Sequence, residues 1–240
     1  MPDEPSDPLE PVAATADAFR FLAFDDRPEL EDHVRTLAAR VQAVVPQTVG
    51  VSLSLAEPQV TFTMAVSDRR LLALDGVQYL EDGPALAAIR HARPLEVPDA
   101  AALDEERWSL FARASAHRGV RSTLSAPVHV GDAVVGGLTV YASTVGAFSG
   151  RTEELAALVQ APASEVIRDA DLSFSSRRQA EETLRTIENQ AIVDIASGVL
   201  AERSGVQVDE ASERLRSAAT QAGIPVTELA RLIIDLHDEE

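Results

Sequence analysis

The sequence predicts an α+β protein with an N-terminal antiparallel sheet flanked by helices, a long connector helix and a C-terminal three-helix unit. Two observations predict the sheet. Two pairs of segments alternate apolar with small polar residues, and helix-periodic segments lie between and around these pairs. A third observation predicts the rest, because from residue 152 the pattern turns helical and stays so to about residue 203, and two more helical segments follow.

The two predicted hairpins differ in their turns. A short Ala-Glu-Pro turn joins the first pair, whereas Gly131 and Asp132 join the second, which is the clearer hairpin signal. Gly136 and Gly137 fall inside the last strand, where glycines indicate a bulge or a close approach of the backbone. The four predicted strands are residues 47–55, 59–66, 123–130 and 133–143.

Helical periodicity predicts the remaining elements. The longest run covers residues 152–203, and Pro162 is expected to kink or break it. Gly205 and Gly223 stand where the helices before them should end. The other predicted helices are residues 28–45, 84–91, 105–117, 209–222 and 226–236, and residues 94–97 are predicted to be extended.

Composition excludes several kinds of site. The chain has no cysteine and all 21 of its basic residues are arginine, which excludes disulfides, thiolate metal ligands and lysine-dependent chemistry. No window is apolar for long enough to span a membrane. Residues 1–18 are acidic and proline-containing, as in a disordered leader rather than a secretory signal, so we expect a cytoplasmic protein. The net charge of −18 means that nucleic-acid binding requires a local basic face.

An apolar stripe runs along the second half of the long helix. Its near-heptad spacing is typical of a helix that pairs with a parallel copy of itself, which predicts a homodimer. Packing of the stripe on its own domain is the alternative. The stripe consists of Leu184, Ile187, Ala191, Ile195, Val199 and Leu200.

The last sixty residues contain an ordered set of short motifs. Residues 192–200 (IVDIASGVL) are followed by Arg203, then by residues 209–211 (DEA), 215–219 (LRSAA) and 229–230 (LA). This set resembles the ANTAR family, and we assign residues 184–240 to such a domain. The resemblance implies a three-helix module that binds hairpin loops of nascent transcripts, acts as a transcription antiterminator and commonly works as a dimer.

The resemblance gives six candidate RNA-binding residues, three of them small and three of them arginines. The small residues let a helix or a backbone come close, and arginine suits both phosphate and base contacts. Helix packing is the alternative role for the small residues, and a solvated helix face for two of the arginines. Where the family usually has basic or amide residues, this chain has Ser197, Gly223 and Pro225. The six candidates are Ala196, Gly198, Arg203, Arg214, Arg216 and Ala219.

Residues 19–166 resemble a GAF domain of the actinobacterial type, and residues 167–183 are then the connector helix. The matching segments are 77–84 (VQYLEDGP), 97–99, 107–108, 119–122, 126–128 and 136–141. Many relatives have a cysteine where this chain has Ala85, so thiol chemistry is excluded there. The resemblance implies a domain that binds a small molecule between its sheet and the intervening helices, or that serves as a dimerisation module.

Four residues are candidates for the lining of that pocket, namely Gln78, Tyr79, Trp108 and Arg121. Core packing is the alternative for Tyr79 and Trp108. The histidines in this region are scattered without the spacing of metal or haem ligands, so we expect no metal and no cofactor.

Three functions remain open. The first is a signal-responsive, RNA-binding regulator of transcription termination, in which a signal at the GAF domain changes connector packing and the spacing of two ANTAR units. The second is a sensory or dimerisation protein that acts through protein partners with a degenerate ANTAR module. A DNA-binding helix-turn-helix ranks third, because only Arg231 on the last helix is suited to read bases. An enzyme is not expected, because none of the carboxylates in the sequence is recognisably paired with a nucleophile.

Overall fold

The computed structural model describes residues 28–58, 60–100, 108–169 and 190–238. The predicted leader and most of the predicted connector lie outside the described residues, as do Leu184 and Ile187 of the apolar stripe. In chain order the elements are α1 (Pro28–Val44), β1 (Thr48–Glu57), β2 (Val60–Val66), a 3-10 turn (Arg69–Leu71), α2 (Leu72–Glu81), α3 (Pro84–His91), β3 (Leu95–Val97), α4 (Ser109–His117), β4 (Ser122–Val130), β5 (Ala133–Ala142), α5 (Thr152–Asp169), α6 (Gln190–Ser204), α7 (Val208–Ala222) and α8 (Val226–Asp238).

The five strands form one antiparallel sheet in the order β2-β1-β5-β4-β3. Both predicted hairpins are confirmed, since β1 pairs with β2 and β4 pairs with β5. The two hairpins meet where β1 pairs with β5, with Val51 opposite Val140. The sequence therefore predicts the local pairs, and the pairing of β1 with β5 joins them into a single sheet.

The two faces of the sheet differ in chemistry. One face is apolar and packs against α1 and α5, with Phe62, Met64 and Leu138 in its core. The opposite face is covered by α2 and α3, and most of its buried residues carry hydroxyl groups. The alternation of residues along each strand assigns them to these faces. The hydroxyl residues are Ser52, Ser54, Thr63, Thr123, Ser125, Thr139 and Tyr141.

The two glycines of β5 lie where other backbone or side chains approach closely, as predicted. A β-carbon at Gly136 would lie 2.1 Å from the Ser54 carbonyl oxygen, and one at Gly137 would lie 2.9 Å from Ile89. The register shifts in the adjoining stretch, between Val128 and His129, so the predicted bulge is also present.

Two features differ from the predictions. Helix α2 was not predicted, because five of its first six residues are apolar or glycine and the helical period is hidden. Of the two alternatives predicted at Pro162, a kink or a break, the break is wrong, since α5 runs without interruption from Thr152 to Asp169. Gly205 and Gly223, in contrast, adopt the left-handed conformation at helix ends, as predicted.

None of the described helices combines the length and apolar character needed to cross a bilayer.

The three C-terminal helices pack on one another and also on the N-terminal domain. Helix α7 lies along α2 and against the edge strand β2, and α8 reaches α2 and α4. Buried residues of both parts form one continuous hydrophobic cluster, which includes Val77 and Phe111 on one side and Leu215 and Leu229 on the other. The C-terminal unit is thus docked on the face of the N-terminal domain that lies beyond α2.

Candidate functional site

The small residues predicted to contact RNA occupy two environments. Ala196 on α6 and Ala219 on α7 are at most 1% exposed and lie in the core between the helices. Gly198 instead faces open space, because nothing lies within 4 Å of the position its β-carbon would take. Ala196 and Ala219 therefore serve helix packing here, whereas Gly198 is accessible to a partner.

The described part of the apolar stripe is split between the inside and the outside of the helical unit. Leu200 is buried in the bundle, but Ile195 is 56% exposed and Ala191 is also exposed. Val199 is half-buried. Ile195 and Gly198 thus mark an outward face of α6 that the rest of the described chain does not cover.

The three candidate arginines do not converge on one patch. Arg216 donates from Nη2 to the Gln190 side-chain oxygen at 3.2 Å, at the beginning of α6. Arg203 lies thirteen residues further along that helix, which corresponds to about 20 Å. Arg214 forms an exposed ion pair with Glu210 at 2.5 Å. Two arginines are thus on α7, and the third is at the opposite end of α6.

The charge of the helical unit is acidic. Residues 190–238 contain four arginines and eight acidic residues, and all eight acidic residues are exposed. Ser197 stands where the family usually has a basic residue; it is 1% exposed, and its hydroxyl donates to the Val193 carbonyl at 2.7 Å. This position faces the bundle, so it contributes no charge to the surface.

A cluster of buried polar groups lies between the sheet and α2, and we call it the polar layer. At its centre the Asp75 carboxylate accepts hydrogen bonds from Tyr141 at 2.5 Å, from Thr63 at 2.8 Å and from Ser52 at 3.1 Å. Asp75 is 2% exposed. Burial raises the pKa of its carboxyl group from 3.8 to about 6, against the lowering effect of these hydrogen bonds.

Two predicted pocket residues belong to the polar layer. Gln78 donates from Nε2 to the Tyr141 hydroxyl at 2.8 Å and accepts from the Ala85 backbone N–H at 2.8 Å. The Tyr79 hydroxyl lies 2.9 Å from that of Thr63. Since Thr63 donates its proton to Asp75, Tyr79 is the donor in this pair.

The other two predicted pocket residues lie elsewhere. Trp108, at a left-handed backbone position just before α4, donates its indole N–H to the Asp82 carbonyl at 3.0 Å. Arg121 is largely exposed and pairs with Asp99 at 3.6 Å. The structure therefore brings Gln78 and Tyr79 together, but it does not bring Trp108 or Arg121 to the polar layer.

Sequence reasoning missed the centre of the polar layer. The small polar residues of β1 and β2 alternate with apolar ones, which is also the pattern of a strand with one face in solvent. Because α2 was not predicted, nothing indicated that this face is covered. An acidic residue within an apolar helix, Asp75, was the available signal.

The family model of the GAF domain matches residues 21–168 of the chain, more than half of its length. The chain belongs to the GAF family. A second model, that of the ANTAR domain, matches residues 181–234, which include α6, α7 and most of α8. The protein therefore combines a domain of the sensory GAF type with a domain of the RNA-binding ANTAR type, which is the architecture of a regulator.

Solved structures with similarity to the chain include GAF domains of several other proteins. A type II free methionine-R-sulfoxide reductase from Thermoplasma acidophilum is 10% identical, with a TM-score of 0.45 over 61% of this chain and 97% of that one. The GAF domain of an Acinetobacter phosphoenolpyruvate-protein phosphotransferase is 18% identical, with a TM-score of 0.41 over 64% of this chain and 92% of that one. A phycocyanobilin-bound GAF domain from a cyanobacterial phytochrome has the same identity and TM-score, over 64% and 93%. No curated protein matches the chain.

A cleft of about 400 Å³ separates the GAF and ANTAR domains at one edge of their contact. Glu81 lies on its GAF side, where its carboxylate accepts hydrogen bonds from the backbone N–H groups of Leu110 and Phe111 and so caps the first turn of α4. Arg203 lines the ANTAR side of the cleft. Burial raises the pKa of Glu81, and the positive charge of Arg203 partly opposes this shift.

One close contact between the domains involves a glycine in the middle of α2. A β-carbon at Gly76 would lie 3.1 Å from Leu229 Cδ1 and 3.5 Å from Ala222 Cβ. Glycine in a helix interior costs about 1 kcal/mol relative to alanine. The close approach of the ANTAR helices accounts for a glycine at this position.

Proposed function

We propose that this protein is a signal-responsive regulator of transcription termination, an antiterminator whose ANTAR domain binds RNA stem-loops as a homodimer and whose GAF domain senses the signal. The observation that carries the proposal is the match of the ANTAR model to a three-helix unit with an uncovered α6 face around Gly198. The protein acts by binding and not as an enzyme.

The arginines of α7 suit phosphate contacts. Arg216 is half-buried and held by Gln190, so its guanidinium is already positioned and loses little side-chain freedom on binding. Arg214 is paired with an exposed partner, Glu210, and such surface pairs contribute little free energy. An RNA phosphate can therefore replace Glu210 at small cost.

A second copy of the chain is the partner that fits the exposed part of the apolar stripe. Ile195 lies on the outward face of α6, and the same spacing continues towards the N-terminus through Ala191, Ile187 and Leu184 in the sequence. A parallel pair of such helices buries these residues and places two ANTAR units side by side. Two units then bind two stem-loops of one transcript.

The polar layer is the proposed place of signal reception. The Thr123 hydroxyl, on a residue opposite Tyr141 in the sheet, has no hydrogen-bond partner in the described protein although the residue is fully buried. The Ser115 hydroxyl on α4 is in the same condition. Buried polar groups normally have partners, so these hydroxyls favour a small polar ligand on this side of the sheet.

The proposal is tested by titrating the purified protein against RNAs that carry two short stem-loops with randomised loops, at about 50 and 200 mM salt. We expect loop-dependent binding that weakens with salt. Arg216→Ala should weaken it by roughly tenfold and lower the salt slope by about one. Arg40→Ala, on the exposed side of α1, is the matched control and should leave binding unchanged.

A different result would favour a regulator that acts through protein partners. The excess of acidic residues on the ANTAR helices and the buried Ser197 support that second function. Absence of any RNA binding at the lower salt concentration would favour this alternative over the antiterminator function.

A further inference from the structure

Helix α2 lies between two different environments. Asp75 points into the polar layer, where its carboxylate accepts a hydrogen bond from the Tyr141 hydroxyl. Gly76, the next residue, faces the ANTAR domain and lies close to Leu229 and Ala222. A displacement of α2 within the GAF domain therefore also displaces the surface on which the ANTAR domain packs.

The contact between the domains is apolar and continuous. Residues of both domains share one buried cluster, and α7 covers α2 together with the edge strand β2. Separation of the domains exposes apolar surface to water, which opposes it. The docked arrangement is therefore stable by itself, and another interaction has to compensate when the domains separate.

A polar contact lies beside the apolar one. Arg203 is placed across the cleft from Glu81, whose carboxylate is fixed by the cap that it forms on α4. Because the Glu81 carboxylate is held in place, Arg203 has an acidic neighbour as long as the domains are docked. Separation of the domains removes this neighbour from a candidate RNA-binding arginine.

We propose that the docked arrangement is the state that does not bind RNA, and that a signal in the polar layer releases the ANTAR domain by shifting α2. This inference rests on the proposed function. Docking keeps Arg203 next to Glu81 and holds the ANTAR arginines near GAF residues 28–169, which carry 18 acidic residues against 12 arginines. Both effects repel RNA phosphates. The signal and RNA then both favour the released state, which links the two binding events.

A disulfide across the contact tests this inference directly, because the natural chain has no cysteine. The β-carbon position of Gly76 lies 3.5 Å from that of Ala222, within the range that a disulfide spans. We therefore combine Gly76→Cys with Ala222→Cys. The Leu229 side chain, at 3.1 Å, has to give way by a small rotation.

In the oxidised double variant the ANTAR domain is locked in the docked arrangement, and we expect at least roughly tenfold weaker binding of the paired stem-loop RNAs than in the reduced form, with recovery after reduction. The two single cysteine variants should bind equally well with and without reductant. Circular dichroism of each form checks that the fold is retained.

A second variant acts in the opposite direction. Gly76→Leu places a large side chain against Leu229 and should separate the domains, so that RNA binding becomes several-fold tighter than in the natural chain. Ala157→Leu adds the same bulk at an exposed position of α5, on the other side of the sheet, and should change nothing.

The outcomes distinguish this inference from the proposed function. Failure of the folded double variant to form the disulfide overturns the docked arrangement. Equal RNA binding by its oxidised and reduced forms overturns the inhibitory role of docking but leaves the proposed function in place. Absence of RNA binding by the natural chain, by both forms and by the Gly76→Leu variant overturns the proposed function, and the inhibitory role with it.

Discussion

The Tyr141 hydroxyl donates a hydrogen bond of 2.5 Å to the Asp75 carboxylate, and both side chains are buried between the sheet and α2. The same hydroxyl accepts a hydrogen bond from Gln78. This residue of β5 therefore connects two residues of α2 to the centre of the sheet. The polar layer holds α2 at a defined position, and α2 in turn carries the ANTAR domain.

Tyr141→Phe should lower the free energy of unfolding by about 1–3 kcal/mol. The change removes one donor from Asp75 and leaves the Gln78 side-chain amide without its acceptor. Urea denaturation at neutral pH measures the loss. Tyr79→Phe is the control: this side chain is only half-buried, and the smaller loss expected there separates the role of Tyr141 from a general effect of removing a hydroxyl.

The stability of the protein should depend on the protonation of Asp75. Burial raises the pKa of this carboxyl group from 3.8 in the unfolded chain to about 6 in the folded one. The stabilisation from its protonated form is therefore complete below about pH 4 and is lost as the pH rises through 6. The shift corresponds to a loss of about 3 kcal/mol between pH 4 and pH 8.

Asp75→Asn isolates this effect, because asparagine has nearly the same shape and does not titrate. Urea denaturation of both proteins across this pH range should give a free-energy difference that changes by about 3 kcal/mol in favour of the variant as the pH rises. Parallel pH profiles for the two proteins would show that Asp75 does not titrate in this range.

The sequence predicts those elements whose pattern is local. The hairpins follow from alternation and from Gly131-Asp132, and α3 begins and ends at the predicted residues 84 and 91. Helix α2 escapes prediction because it is covered on both sides, by the sheet and by the ANTAR helices, so that no polar face remains to mark its period. Such burial depends on the tertiary structure and leaves no local pattern.

The candidate sites divide in the same way. Gln78 and Tyr79 could be singled out because the GAF resemblance points to their segment, and the structure places both in the polar layer. Asp75 carries only the signal of an acidic residue in an apolar segment, and its role stayed hidden because its partners come from three strands far apart in the sequence. The contact of Gly76 with Leu229 likewise joins residues of two domains, and no spacing within one helix indicates it.

Two glycines outside the interdomain contact should respond to alanine in opposite ways. Gly136→Ala places a β-carbon 2.1 Å from the Ser54 carbonyl oxygen, and because backbone yields little, we expect a loss of about 3 kcal/mol or more in unfolding free energy. Gly198→Ala meets nothing within 4 Å and should stabilise α6 by about 0.5–1 kcal/mol.

The Gly198 variant also reports on the function of its surface. If an RNA backbone approaches α6 closely at this position, Gly198→Ala should weaken RNA binding although the protein itself becomes more stable. Thermal unfolding and RNA titration of the same preparation measure both quantities. Unchanged RNA affinity would assign no RNA contact to Gly198.

Replacement of Ile195 tests the proposed homodimer. Ile195 is 56% exposed on the outward face of α6, and its burial in a pair of parallel helices contributes to association through the apolar area removed from water. Ile195→Glu places a carboxylate in that contact, and the burial of a charge without an oppositely charged or hydrogen-bonding partner costs free energy. We expect the dimer dissociation constant to rise by roughly tenfold or more. Sedimentation velocity at micromolar concentration, with and without RNA, measures the change.

Val145→Glu is the matched control, because Val145 is 51% exposed but lies in the loop after β5. A natural chain that sediments as a monomer under both conditions would contradict the dimer, and so would a loss of association in the Val145 variant equal to that in the Ile195 variant.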